Sequence, residues 1–230
     1  MTAREMQNAF EHGVNRRDNE LIVESHVVFH WINEAIDRFF ITRYNGNNRA
    51  GTGVEETQKR VEDLRTLVTE SVLSAETDFS SILPGSYMIT LPNDYRIKLS
   101  EGVVIEYVDP SSGDFQMRTV GVTETTSDTL FQKLNNPFSE HNLVYGEAKP
   151  LRLFKEDKIQ LFTDGNYVIT TYLLRYLRNP AKVGLGPNES DCDLPESSHT
   201  EIVDLAVNLF LENVGDPRYS TNKSELIMNE

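Results

Sequence analysis

His26, His30 and Glu34 stand at i, i+4 and i+8 in one stretch of helical pattern. Imidazoles four residues apart share a helix face and can hold one metal ion. The chain has no HExxH motif and no obvious third ligand elsewhere. We therefore read these residues as part of an ordinary helix, with at least one histidine packed beside Trp31. Acidic pairs occur at Glu55/Glu56 and Glu62/Asp63. Paired carboxylates do acid–base work only when a cleft removes them from water, and these pairs read as a solvated helix face. Cys192 is the only cysteine, and Asp191 and Asp193 flank it. Neighbouring acids raise a thiol pKa and oppose nucleophilic use. A single cysteine also forbids an intramolecular disulfide or a cysteine metal cluster. There is no P-loop, GxGxxG or GxSxG, and Gly184-Leu185-Gly186-Pro187 reads as a turn. A hydrolase would have to rely on carboxylates such as Glu34 or Asp94. The residues predict no catalytic centre, no cofactor and no metal, hence a protein that is not an enzyme.

Two amphipathic helices near the ends of the sequence frame everything else. Val28, Trp31, Ile32, Ala35, Ile36, Phe39 and Phe40 follow the i, i+3, i+4, i+7 rule within residues 25–44, with Ser25 as the expected N-cap and Gly46 as the stop. Ile202, Leu205, Ala206, Leu209 and Phe210 do the same within residues 198–214. There Ser198 and Glu201 suggest a capping box, and Gly215 with Pro217 the end. Each apolar face needs a partner, and each helix is the natural partner of the other. A short helix at 2–12 and a third helix at 54–73 are also expected.

Between them the period changes from helical to strand-like. Strands are expected at 87–91, 95–99, 102–108, 115–122 and 151–154, with a short helical turn in 128–138. Asp164-Gly165, between the β-prone arms of residues 158–177, predicts a tight type I′ hairpin. Most of the aromatic residues recurring here (Tyr87, Tyr95, Tyr107, Phe115, Phe154, Phe162, Tyr167, Tyr172 and Tyr176) should fill a core, and outward ones should be interface anchors. The fold class is α+β: a helical bundle of N-terminal helices and a C-terminal helix, with an inserted antiparallel, sandwich-like β-rich domain. The corresponding divisions are 1–82, 83–180 and 181–230, the last holding a connector, the C-terminal helix and a polar tail.

The formal net charge of the 230-residue chain is −14. This opposes sequence-tolerant gripping of nucleic acid, which needs basic stripes. It is compatible with DNA sliding past an acidic wall, but on charge alone the acidity reads first as what keeps the protein soluble. The mean hydropathy is −0.43, and no apolar run approaches a membrane span. The polar start, MTAREMQNAFEH, lacks the apolar stretch of a secretory signal, and with a single cysteine an intracellular site of synthesis is expected.

The order of these pieces resembles the ring or head-to-tail connector (portal adaptor) proteins of crAss-like tailed bacteriophages. The resemblance is carried by Trp31-Ile32-Asn33-Glu34-Ala35, Arg38-Phe39 and Arg43-Tyr44 after a short N-terminal helix. Gln58-Lys59-Arg60 and Asp63-Leu64 follow, then Leu91-Pro92-Asn93-Asp94-Tyr95 and Asn136-Pro137-Phe138. Tyr172 to Pro180 and His199-Thr200-Glu201-Ile202-Val203-Asp204-Leu205-Ala206 complete it. It implies a virion structural protein without catalysis, forming a dodecameric ring that extends the DNA channel and docks the tail. The implied partners are further copies, the portal protein, other tail or ring proteins, and passing double-stranded DNA without sequence-specific contact. No membrane is involved. Arg43, Tyr44, Arg178 and Tyr219 are the candidate interface residues, because Arg and Tyr are enriched as anchors. The alternative is a monomeric protein- or glycan-binding module that uses the β-rich domain.

Overall fold

A computed structural model describes residues 1–15, 23–45, 61–78, 85–109, 113–187 and 190–216. Gly46, Gln58-Lys59-Arg60, Glu55/Glu56, Pro217 and Tyr219 lie outside the described residues. The chain divides into two compact units, Met1–Val68 with Asn179–Glu230, and Thr69–Arg178. The helices are α1 (Ala3–Val14), α2 (Ser25–Asn45), the short α3 (Leu130–Leu134) and α4 (His199–Val214), besides helical residues 61–64.

In the helical unit, α1 and α2 both pack on α4 of the same chain. α1 buries Ala3, Met6, Phe10 and Val14, spaced three or four apart. Its start is a capping box that the Thr2-Ala3-Arg4-Glu5 sequence carries openly: Thr2 Oγ1 accepts from the Glu5 amide, and the Glu5 carboxylate accepts from the Thr2 amide. α2 buries Val28, Phe29, Ile32, Ala35, Ile36, Phe39 and Phe40. α4 is buried on more than one side, with Ile202, Val203, Ala206, Val207, Leu209, Phe210 and Leu211 all inside, as expected of a helix covered by two others. Phe10 meets Phe210 edge-on, with ring centroids 5.7 Å apart. Truncating either ring would cost about 3–5 kcal/mol.

Three terminus expectations change. Ser25 is the first helical residue rather than the cap. The Glu24 carbonyl accepts the first bonds, and Ser25 Oγ accepts from Gln7 Nε2 at 3.0 Å, tying α2 to α1. Ser198 does not cap α4. A 3-10 turn at Glu196–Ser198 leads into the helix, Ser198 Oγ donates to the Pro195 carbonyl at 2.7 Å, and Glu201 is taken by Arg43. Gly215 does close α4, in the left-handed region at φ 72. The helix expected at 54–73 also ends early. After helical residues 61–64 and a 3-10 turn at Arg65–Leu67, the chain becomes a strand at Val68. Val68-Thr69-Glu70-Ser71-Val72-Leu73-Ser74 is rich in β-branched residues and alternates in exposure, so sheet pairing wins over helix continuation.

The β-rich unit is built from β1 (Val68–Ser74), β2 (Glu76–Thr77), β3 (Ser86–Thr90), β4 (Tyr95–Val108), β5 (Phe115–Val120), β6 (Thr123–Glu124), β7 (Leu151–Lys155), β8 (Lys158–Phe162) and β9 (Tyr167–Arg178). One sheet has the order β1-β9-β4-β5, the other β2-β3-β8-β7-β6. Pairing is antiparallel except between β6 and β7. The strands expected at 95–99 and 102–108 are one strand, β4, whose pairing with β9 shifts register three times.

Both sheets contribute to one core. Ile89, Ile159 and Leu161 from one sheet meet Val103, Ile105, Ile169, Tyr172 and Leu174 from the other. Tyr87, Phe162, Tyr167, Tyr172 and Tyr176 are buried as expected, whereas Phe115 and Phe154 stay outside. The opposite face of the second sheet packs Leu151 and Phe162 against Leu130 of α3.

The hairpin expected at Asp164-Gly165 does not form. Its two arms, β8 and β9, belong to different sheets. Gly165 has φ 86, but Asp164 is not in the left-handed region. Instead Asp164 accepts hydrogen bonds from the Leu143 and Asn166 amides and makes a corner at which the chain changes sheet. The tight hairpin lies one strand earlier, where Glu156-Asp157 join β7 to β8 with Glu156 at φ 57.

Candidate interaction surface

The residues that looked able to do chemistry make ordinary local contacts, His26 and His30 on the exposed side of α2. His30 lies edge-on to Trp31, with centroids 5.2 Å apart. His26 sits beside Glu24. Glu34 binds Arg38 at 3.0 Å on the same helix, and Asp94 in the other unit accepts from Tyr176 Oη at 2.9 Å. Burial, more than the two flanking aspartates, pushes the Cys192 thiol pKa up.

Arg43, chosen as an interface anchor, is directed inwards. Its side chain is buried, lies over the Phe39 ring and forms ion pairs with Asp63 and Glu201. Asp63 is therefore not part of a solvated helix face. It stands four residues before the buried Leu67, a spacing that places it on the inner side. Tyr44 is half exposed and stacks on Phe40. Arg178 ends β9, where it faces Tyr95 in the ladder.

A second buried charge cluster joins the two sheets. Arg152 on β7 is 1% exposed and shares its sheet face with the core residue Leu161 opposite it. Its Nε lies 3.4 Å from Glu101 of β4, and its Nη2 lies 2.5 Å from Glu124. Glu101 also accepts from Lys98 Nζ at 2.7 Å and from Tyr172 Oη at 2.5 Å. Burial and the bond to Glu101 raise the Tyr172 phenol far above its ordinary value. Every charge here has an opposite, with Arg152 and Glu101 buried and Glu124 exposed at the rim, so the cluster reads as a structural tie between the sheets.

Large apolar residues are exposed along β5 and in the loop beside it. β5 is exposed along five of its six residues, with Phe115 at 83% and Met117 also outside. The antiparallel ladder puts Met117 opposite Glu106 and Phe115 opposite Val108, and Glu106 opposite Val168 of β9. Directly opposed residues share a face. Val108, Phe115, Met117 and Val168 therefore lie on the outer face of the four-stranded sheet, grouped around Glu106.

On its other side β5 borders a cleft of about 720 Å³, lined by residues 118–121, 137–140, 142, 144, 145 and 147–149. Phe138 is 93% exposed and Tyr145 99% exposed at this cleft. Their loop is held firmly. Arg118 bonds Glu147 at 2.9 Å, and Tyr107 fits so closely under Gly146, at φ 75, that a Cβ there would lie 2.3 Å from its hydroxyl. Thr123 and Lys149 together hold the Glu140 carboxyl below its usual range. Phe115 was visible in sequence as an aromatic without a fixed side. Met117 was not, because its exposure depends on the strand order, nor were Val144 and Tyr145, because theirs depends on the path of a loop.

Among the described residues, no group of His, Cys, Asp and Glu could hold a metal, and no helix is long and apolar enough to cross a membrane. An α+β scaffold with no metal cluster among its described residues and with large apolar groups exposed along an outer strand belongs to the class of proteins that assemble with others. The chain belongs to the phage tail ring protein 3/4 family of crAss-like phages, whose family model matches residues 1–222. No curated protein matches the sequence. Membership makes the chain a tail ring protein with a structural role in the virion.

Proposed function

We propose that the protein forms a homo-oligomeric ring in the head-to-tail connector, stacked with the portal or other ring proteins, and that it catalyses no reaction. The observation that carries this reading is the exposed apolar surface on both sides of β5, in a chain of a tail ring family. A ring needs two different, complementary faces on each copy, and aromatic anchors are the usual centre of such contacts. Tyr44 and Arg178 are further contacts in this reading. A net charge of −14 suits a channel wall that repels phosphate and lets DNA pass. The ring is a dodecamer in this reading.

The test is native mass and particle imaging of the full chain, alone and with its portal protein. Ring-shaped multimers or a portal-bound ring are expected. A chain that stays monomeric and ignores portal and other ring proteins overturns the reading. The cleft beside β5 favours one other reading, a monomeric protein- or glycan-binding module. A saturable ligand on a persistent monomer would establish it.

A further inference from the structure

We infer that neighbouring copies join through their strand edges, β5 of one against β1 of the next, so that the four-stranded sheets run on as one belt. This deepens the ring reading and rests on it.

Among the described residues, β5 and β1 are the two outer strands of that sheet. An outer strand presents unpaired N–H and C=O groups along one side. Proteins that keep such edges free block them with Lys or Pro. β5 (Phe115-Gln116-Met117-Arg118-Thr119-Val120) and β1 contain neither.

The strand directions suit head-to-tail repetition. Glu70 meets Arg175, and the Ala75 amide bonds the Thr170 carbonyl, so β1 runs opposite to β9. β9 runs opposite to β4, and β4 opposite to β5. Four strands alternating in direction leave β5 opposite in direction to β1. A second copy in the same orientation therefore continues the sheet in antiparallel fashion.

The faces agree as well. Glu70 reaches the exposed Arg175, which lies opposite Ser100 in the ladder. Alternation along strands and pairing across them put Glu70 and Val72 on the outer face with Met117 and Phe115. Val72 is 73% exposed, and beside the next copy's Phe115 and Met117 it would be covered. Arg118, the only charge on β5, and Glu70, the only one on β1, are already paired within one copy, with Glu147 and Arg175, so neither brings an unpaired charge to the joined edges. The contact is heterologous, the kind that closes rings, and β-strand addition supplies main-chain bonds without special pockets.

The experiment uses the full chain with Cys192→Ser. Single cysteines replace Phe115, Met117 or Thr119, each combined with one replacing Glu70, Val72 or Ser74, and a short bifunctional thiol reagent is added. At least one pair should give a ladder reaching beyond dimer, while either cysteine alone should stop at dimer. In parallel, Phe115→Lys with Met117→Lys should weaken self-association at least about tenfold and leave the circular dichroism unchanged. If the wild type assembles, no pair gives a ladder and the lysine variant assembles equally well, the edge pairing is wrong and the ring reading stands. If the wild type neither self-associates nor joins portal or other ring proteins, the ring reading itself fails.

Discussion

Glu101 of one sheet lies 3.4 Å from the Nε of Arg152 of the other, and both side chains are almost fully out of water. Removing one partner of a buried pair leaves an uncompensated charge, whereas replacing both with apolar groups can be neutral. Arg152→Leu should cost about 3–5 kcal/mol in urea unfolding followed by circular dichroism. Arg152→Leu with Glu101→Leu should recover much of it. Equal losses in both variants would show that the pair is not coupled.

The Arg43–Asp63 pair makes the same demand on the helical unit. Trp31, the only tryptophan, lies on α2 and reports this unit alone. Asp63→Asn should lower the midpoint of the Trp31 fluorescence transition by the equivalent of about 3 kcal/mol. Glu62→Gln, which alters an exposed pair with Arg65, should leave it nearly unchanged.

Tyr172 and Tyr167 have phenols that burial raises far above the ordinary value of 10.0. Both stay protonated in the folded unit where the unfolded chain would ionise. Their contribution to stability is complete below pH 10 and falls as the pH rises past it. Alkaline titration should show these two tyrosines ionising only with unfolding. Tyr172→Phe should reduce the loss of stability above pH 10. A smooth titration of all nine tyrosines before unfolding would contradict this.

Gly146 holds the loop that presents Val144 and Tyr145. Its φ of 75 and the Tyr107 hydroxyl beneath it leave no room for a Cβ. Gly146→Ala should destabilise the β-rich unit by about 1–3 kcal/mol and weaken assembly. Gly146→Ala with Tyr107→Phe should relieve part of the clash, because the atom nearest the new Cβ is removed.

The helical frame was readable because its signals are local. Phe39, Ile202 and Leu209 recur at helical spacing, and no distant residue is needed to interpret them. The switch to strand at Val68 was not readable in that way, because Val61, Leu64, Val68 and Val72 also fit a helix. Only pairing with β9 decides between the two. The corner at Asp164 was misleading for a related reason: Asp-Gly is a hairpin signal when its arms pair, and here each arm finds another partner. The interaction surface was the least legible part. Nothing about Met117 as a residue says that it lies on an outer strand, and Arg152 between two leucines gives no sign that it faces Glu101.

The chain enters the β-rich unit along β1 and leaves it along β9, and these are antiparallel neighbours. Entry and exit therefore lie one strand spacing, about 5 Å, apart. To the helical frame the whole of Thr69–Arg178 is topologically a short loop. Closing a long connection costs only slightly more than closing a brief one. Such a unit can be lengthened, exchanged for another, or lost while α1, α2 and α4 keep their packing.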